Sequence, residues 1–271
     1  MKKLCVFFLA TLVGVFFFSC EKIGTEKQEL EVDFSIMGKM HNKGVESILR
    51  GFQDAGTNSD QSQTKEVPYV SYISIIKSNA ISYVKEKTGN DAEAIAIAEE
   101  FLHNFLDDNP ACVEHKAIAN SIYTPYIQSI KKTKTFNTQL KELNEIATDE
   151  DVNLQSLLSR LQQLEATVRC SSLTATEKNI LLAGISVAQE SYQYWYDKGP
   201  EWLNTLKGEG KKGKFSWKSV GRADISGAVD GAMTVVAMAF VGPVGWAAAV
   251  AGLAGAAAGS SAGNAVDQLL K

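Results

Sequence analysis

The residue types able to do chemistry are few and scattered. There are three histidines, His41, His103 and His115, and four cysteines in 271 residues. Cys112-x-x-His115 sets a thiol and an imidazole on one helical face, and His103 lies near Asp107 and Asp108. Zinc needs four ligands in a defined spacing, of which one such pair supplies half. As a Cys–His nucleophile, the pair lacks a glycine-rich turn or any oxyanion element beside it. A surface histidine next to a buried cysteine fits better. Asp149-Glu150-Asp151-x-Asn153 opens like a calcium loop, but Leu154 and Arg160 stand where that loop requires Gly and Glu. Carboxylates facing a helix N-terminus account for it. There is no Walker loop, dinucleotide fingerprint, HExxH or GxSxG. The expectation is a non-enzymatic protein with no catalytic residue, metal or cofactor.

One aromatic group is dense: Tyr192, Tyr194, Trp195, Tyr196 and Trp202. Tyr192, Trp195 and Trp202 are candidates for stacking on a sugar or peptide. Spacing of three and four residues also suits packing at the end of a helical bundle, the commoner use.

The elements that would carry these residues read as helices. Composition is 45% hydrophobic and 21% charged with 5 prolines, as in one medium-sized globular domain. Apolar residues recur at helical spacing from Phe34 to Phe52 and over Val70–Val84, Asp91–Leu106, Phe136–Ile146, Val152–Val168 and Glu177–Tyr196. Asp54 to Glu66 is polar and reads as a loop. Asn109-Pro110 reads as a helix start that stops near Pro125, and Thr148 and Thr174 read as helix caps. Period-2 alternation is nearly absent. The fold class expected is all-α, a helical bundle.

The N-terminus gives a compartment. Met1-Lys2-Lys3, an apolar run from Leu4 to Phe18 and then Ser19-Cys20 have the anatomy of a secretory signal. The run is too short for a comfortable bilayer span of about 20 residues. Cys20 directly after Ser19 resembles the lipobox of bacterial lipoproteins, with Phe17 in place of the strict pattern's Leu. That resemblance implies lipidation of Cys20 as the mature N-terminus, and more than one acyl chain anchors a protein stably. Residues 1–19 are then the signal and 20–33 an acidic tether. Loss of Lys2 and Lys3 leaves 25 basic and 31 acidic residues, a charge of -6 that offers nucleic acid nothing. Cys112 and Cys170 remain; in an oxidising envelope they either pair or stay as buried thiols. A bond closing that loop would be worth about 4 kcal/mol in the loop-entropy model.

After the helical domain, 34–206, composition shifts. Residues 207–222 carry Lys207, Lys211, Lys212, Lys214, Lys218 and Arg222 against Glu209, interleaved with Phe215 and Trp217. This reads as a basic linker of the kind found at membrane interfaces, or as a solvated hinge. Residues 223–271 form a Gly/Ala-rich segment without a formal charge from 231 to 258. Small residues recur at Ala247, Ala251, Gly255, Gly259 and Gly263, with Gly227 and Gly231 upstream, a stripe that lets helix backbones approach closely. Gly242-Pro243-Val244-Gly245 predicts a helical hairpin. Its apolar content sums to about -1 to -2 kcal/mol of insertion free energy, marginal for a span. A hairpin stored against the bundle or lying on a membrane is expected.

His41-Asn42-Lys43-Gly44-Val45, Ser191-Tyr192-x-Tyr194-Trp195 and Ala223-Asp224-Ile225-Ser226-Gly227-Ala228 together resemble a group of Bacteroidota lipoproteins with helical bodies and Gly/Ala-rich C-termini. The likeness implies an envelope lipoprotein, with the outer membrane favoured, and brings no known activity or site residues. The tail alone is similar to glycine-zipper and bacteriocin-like segments. Three functions are in view: a lipid-anchored binding or scaffolding protein with an unidentified protein or glycan partner, a membrane-active protein inserting its tail, and a surface binder using the 192–202 aromatics.

Overall fold

The computed structural model describes residues 35–57, 69–106, 132–207, 215–239 and 246–270. These form eight α-helices and no strand: α1 Ser35–Thr57, α2 Tyr69–Thr88, α3 Ala92–Leu106, α4 Lys134–Thr148, α5 Leu154–Cys170, α6 Ala175–Lys207, α7 Trp217–Ala239 and α8 Trp246–Leu270. The all-α expectation is met. The signal peptide, the lipidation site Cys20, the tether, and the Asn109-Pro110 and Pro125 signals lie outside the described residues.

Helix directions follow from which residues meet. Gly38 with Ser186, Asn42 with Glu190, Glu46 with Tyr194 and Gln53 with Glu201 are all hydrogen-bonded pairs 148 residues apart. A constant offset requires α1 and α6 to run the same way in fixed register. By the same logic α8 runs with α3, since Gly252 faces Ala94, Gly259 faces Leu102 and Gly263 faces Leu106. It runs against α2, where Gly255 faces Val84 and Gly259 faces Ala80. Helix α7 runs against α6, with Gly221 on Tyr192 and Gly184 on Val229.

The Gly/Ala helix α8 lies in the middle, packed on α1, α2, α3, α6 and α7. Ala258, Ala262, Ala265, Val266 and Leu269 are in one core with Val45, Ile48, Leu49, Ile76, Leu102, Trp195 and Trp202. Small side chains on α8 allow several neighbours to approach one axis at once, so the bulk of the core comes from the surrounding helices. Helices α4 and α5 flank this assembly through α6 and α7.

Local signals explain most boundaries. Thr133 caps α4 by accepting from the Phe136 amide at 3.1 Å, and Asn153 caps α5 by accepting from Ser156 at 2.9 Å. Thr174, expected as a cap, forms a capping box with Glu177: the Glu177 amide donates to Thr174 Oγ1 at 3.2 Å while Glu177 Oε2 accepts from the Thr174 amide at 3.1 Å. Glu177 Oε1 also accepts from the Thr133 amide at 2.7 Å, so one carboxylate serves the starts of α4 and α6. Burial opposes ionisation of Glu177, but its bonds from Thr133 and Thr174 outweigh this and hold the carboxyl below its usual value. The stability it contributes is therefore present above the unfolded carboxyl value and lost as pH falls through the folded one. Glu177→Ala is expected to lower stability by about 2 kcal/mol, read as a urea midpoint at neutral pH.

Three expectations need correction. Thr148 does not cap the next helix; it ends α4, and its hydroxyl donates back to Asn144 O at 2.9 Å. Asp54 to Thr57 are not loop but the last residues of α1. Helix α6 does not stop near Tyr196 but continues through Pro200 to Lys207. The proline removes one backbone donor, and fully buried Trp202, packed at a tilt 5.2 Å from Trp195 and edge-on 5.8 Å from Phe52, supplies the packing that overrides it.

Candidate functional site

Five buried polar side chains from four helices converge between α1, α6, α7 and α8. Asp224, in α7, is 1% exposed, and His41, Ser191 and Ser261 are fully buried. Asp224 Oδ2 accepts from the Ser191 hydroxyl and, at 2.8 Å, from Trp195 Nε1–H. Its Oδ1 faces the Ser261 hydroxyl, which also reaches Ala257 O at 2.8 Å. His41 Nε2 is 2.9 Å from Ser261 Oγ and 3.6 Å from Asp224 Oδ2. His41 Nδ1 is 3.1 Å from Asn42 Oδ1, while Asn42 Nδ2 donates to Glu190 O at 2.9 Å. A carbonyl oxygen only accepts, so the Asn42 amide is fixed with Oδ1 toward the imidazole, and Nδ1 must be a donor.

Burial disfavours the Asp224 carboxylate, while His41, Ser191, Ser261 and Trp195 favour it; the net effect raises the carboxyl above its usual range. A Ser–His–Asp set invites comparison with a catalytic triad, but two features speak against it. The carboxylate contacts the serine rather than His41 Nδ1, and no member has a surface open to substrate. The arrangement can fasten helices and hold protons.

The residues brought together are those of the three short motifs noted in the sequence. His41 and Asn42, Ser191 and Trp195, and Asp224 lie far apart in the chain and meet here. Only Ser261 falls outside them. It is hidden in the Gly/Ala stretch, where Ser260-Ser261 is a polar interruption of an apolar face.

The expected ligand aromatics are turned inward. Tyr192, Trp195 and Trp202 are fully buried. Tyr192 packs edge-on to Trp217 at 5.7 Å, and Trp195 lies 5.8 Å from Phe215. Trp202 Nε1–H donates to Tyr194 OH at 3.1 Å, which donates to Glu46 at 3.1 Å. Tyr192, Trp195 and Trp202 therefore present no exposed face to a sugar or peptide.

Within the basic stretch, Lys218 is turned inward. Residues 217–222 are the first turns of α7 rather than a linker, and Lys218 is 9% exposed. Its ammonium donates to Asp149 O, at 3.2 Å, and to Glu150 O, at the C-terminal end of α4. Arg222 pairs with Glu150 at 3.3 Å. The acidic run is therefore not a set of carboxylates at the start of α5: Asp149 is the C-cap of α4 and pairs with Arg160 at 2.6 Å. The hydrogen bond from Arg160 leads the causes that hold Asp149 below the usual carboxylate range.

The small-residue stripe is occupied from within the chain. A methyl on Gly255 would meet Val84, one on Gly259 would meet Leu102, and one on Gly263 would come 2.7 Å from Leu106. Ala251 is buried, while Gly231 and Ala247 lie on helical backbone in α7 and α8. Gly227 is the exception, with nothing within 4 Å of an added methyl. Among the described residues no helix is long and apolar enough to cross a membrane, and no three His, Cys, Asp or Glu are grouped to hold a metal ion. His103 is exposed on α3. Cys170 is exposed at the end of α5, while Cys112, Asp107, Asp108 and His115 lie outside the described residues, so neither the disulfide nor the Cys–His pair can be placed.

Fold and buried cluster together define an all-α protein built around a Gly/Ala helix and closed by a polar knot. No family model, curated protein or solved structure matches the chain.

Proposed function

We propose that this chain is a non-enzymatic cell-envelope protein, held to a membrane by lipid on Cys20, whose helical body is a rigid binding or scaffolding unit. The observation that carries the reading is the position of α8. The element with the most membrane-like composition already has its glycine face filled by Val84, Leu102 and Leu106, so attachment falls to the N-terminal lipid. Among the residues whose side-chain exposure is described, the exposed large hydrophobic ones are Ile36 and Tyr196, on α1 and α6 and not on α7 or α8. The partner recognised by the body is a protein or glycan, and the outer membrane is the favoured location.

The test is metabolic labelling with a fatty acid, with and without an inhibitor of lipoprotein signal cleavage. Label in the wild-type chain, absence of label in Cys20→Ala, and a larger precursor under the inhibitor are expected. An unlabelled wild-type chain whose maturation ignores the inhibitor would refute the anchor. The membrane-active alternative requires α7 and α8 to leave the core. It predicts leakage of dye-filled liposomes by the chain beginning at Glu21, where the proposed function predicts none.

A further inference from the structure

The hydrogen bonds of the buried cluster lead to a proton count. Asn42 fixes His41 Nδ1 as a donor. Between His41 Nε2, Ser261 Oγ and Asp224 Oδ1 there are two contacts in series. Filling both takes two hydrogens, and two arrangements do so. Either Nε2–H donates to Ser261 and Ser261 donates to the carboxylate, or the carboxyl donates to Ser261 and Ser261 donates to Nε2. The first is an imidazolium with a carboxylate, the second a neutral pair. Both have the same composition and no net charge, which suits a site from which water is excluded. Removing one proton leaves an oxygen or nitrogen facing another acceptor in one of the two contacts.

We propose that His41, Ser261 and Asp224 share one retained proton and act as a pH-responsive latch fastening α7 and α8 to α1 and α6. Two phenols on the packed helices are held in their neutral form, and the Glu190 side chain lies against Gly38 at the edge of the cluster. From α2, the Tyr83 hydroxyl donates to Met40 O at 2.7 Å, and burial keeps its phenol protonated. From α6, Tyr192 donates to Ala147 O at 3.2 Å and is held protonated by burial and by Asp224. Ser191 and Trp195 face the carboxylate without titrating. Close to Asp224 on α7, Arg222 turns away from the cluster and pairs with Glu150 at 3.3 Å.

The sign follows by linkage. An unfolded imidazole loses its proton above about pH 6.5 and an unfolded carboxyl above about 3.9, whereas the latch retains one. Above pH 6.5 the folded chain thus binds one proton more than the unfolded chain, and stability falls as pH rises. This agrees with a carboxyl whose folded value is raised, whose stability contribution is lost as pH climbs through that value.

The experiment is urea unfolding of the chain from Glu21 onward, which contains every described helix, at several pH values from 7 to 9. The wild-type unfolding constant is expected to rise about tenfold per pH unit, the signature of one proton. Asp224→Asn keeps the shape and offers Nδ2 to Ser261 Oγ, so its constant is expected to change less than twofold across that range. Should Asp224→Asn not fold, an indicator dye in weakly buffered wild-type solution gives an independent reading, with about one proton released per chain on unfolding at pH 8. A flat wild-type profile, an Asp224→Asn profile as steep as wild type, or no proton release would overturn the proposal.

Discussion

Asp224→Ala is expected to lower the stability of the bundle by about 3–5 kcal/mol, the range for removing one partner from a buried charged network. The substitution withdraws the acceptor used by Ser191, Trp195 and Ser261 in one step. Ser261 can turn to Ala257 O, but the indole N–H of fully buried Trp195 is left without its acceptor. A cavity is added to that loss. Asp224→Asn separates the charge from the shape. Its Oδ1 accepts from Ser191 and Trp195, its Nδ2 donates to Ser261, and the serine then donates to His41 Nε2. Every donor retains an acceptor, so the cost at neutral pH is expected to stay near about 1 kcal/mol. The contrast is measured by urea denaturation followed by tryptophan fluorescence, since Trp195 reports on the site itself. Equal losses for Ala and Asn would mean that the hydrogen bonds of Asp224 do not hold the four helices together.

The second large effect lies in α8 and runs against helix propensity. Alanine is a better helix former than glycine by about 1 kcal/mol, so Gly→Ala on an open helix face should stabilise. At Gly252 the added methyl would lie 2.8 Å from the backbone oxygen of Ala94 in α3. A backbone carbonyl cannot move aside as a side-chain tip can, so α3 and α8 must separate. Gly252→Ala is expected to destabilise by about 1–3 kcal/mol despite the gain in propensity. Gly227 is the internal control. It is also a buried helical glycine, but a methyl added there would have nothing within 4 Å, and Gly227→Ala is expected to be neutral or to stabilise by up to about 1 kcal/mol. Thermal midpoints of the two single variants decide the matter. If both rise together, the close approach of α3 and α8 is not part of the native core.

Much of the fold is legible in the sequence because its helices are amphipathic and capped. The apolar spacing of Asp91–Leu106 and the Thr174 cap place α3 and the start of α6 within a residue or two. The end of α6 is hidden because Pro200 is a local stop signal, while the contacts that override it, Trp202 on Trp195 and Phe52, are distant in sequence. The tail is ambiguous for a related reason. Small residues every fourth position say that something approaches the helix closely; they do not say whether the neighbour is another copy, a lipid-embedded helix or the same chain. Here it is Val84 of α2 and Leu102 of α3. Lys218 and Arg222 likewise read as a basic surface until the turn after α4 is brought beside them.

The buried cluster shows both limits. His41 and Asp224 carry no spacing motif, because 183 residues separate them and only the register of α1, α6 and α7 brings them together. What the sequence does offer is polarity out of place. His41 sits on the apolar face of α1, and Asp224 and Ser261 lie in a segment otherwise poor in polar groups. Such residues are costly to bury without partners, so each implies another somewhere in the chain.

Helix α8 is the centre of the helical body, with α1, α2, α3, α6 and α7 packed around it, rather than a segment held in reserve for a bilayer. Amide hydrogen exchange of the chain from Glu21 onward, with and without liposomes, tests it most directly. The account predicts that the amides of α8 are among the slowest in the molecule in water, as for a central helix, and that liposomes leave them unchanged. Rapid exchange of α8 in water, with protection appearing only when liposomes are added, would contradict it and make the tail a membrane-inserting element.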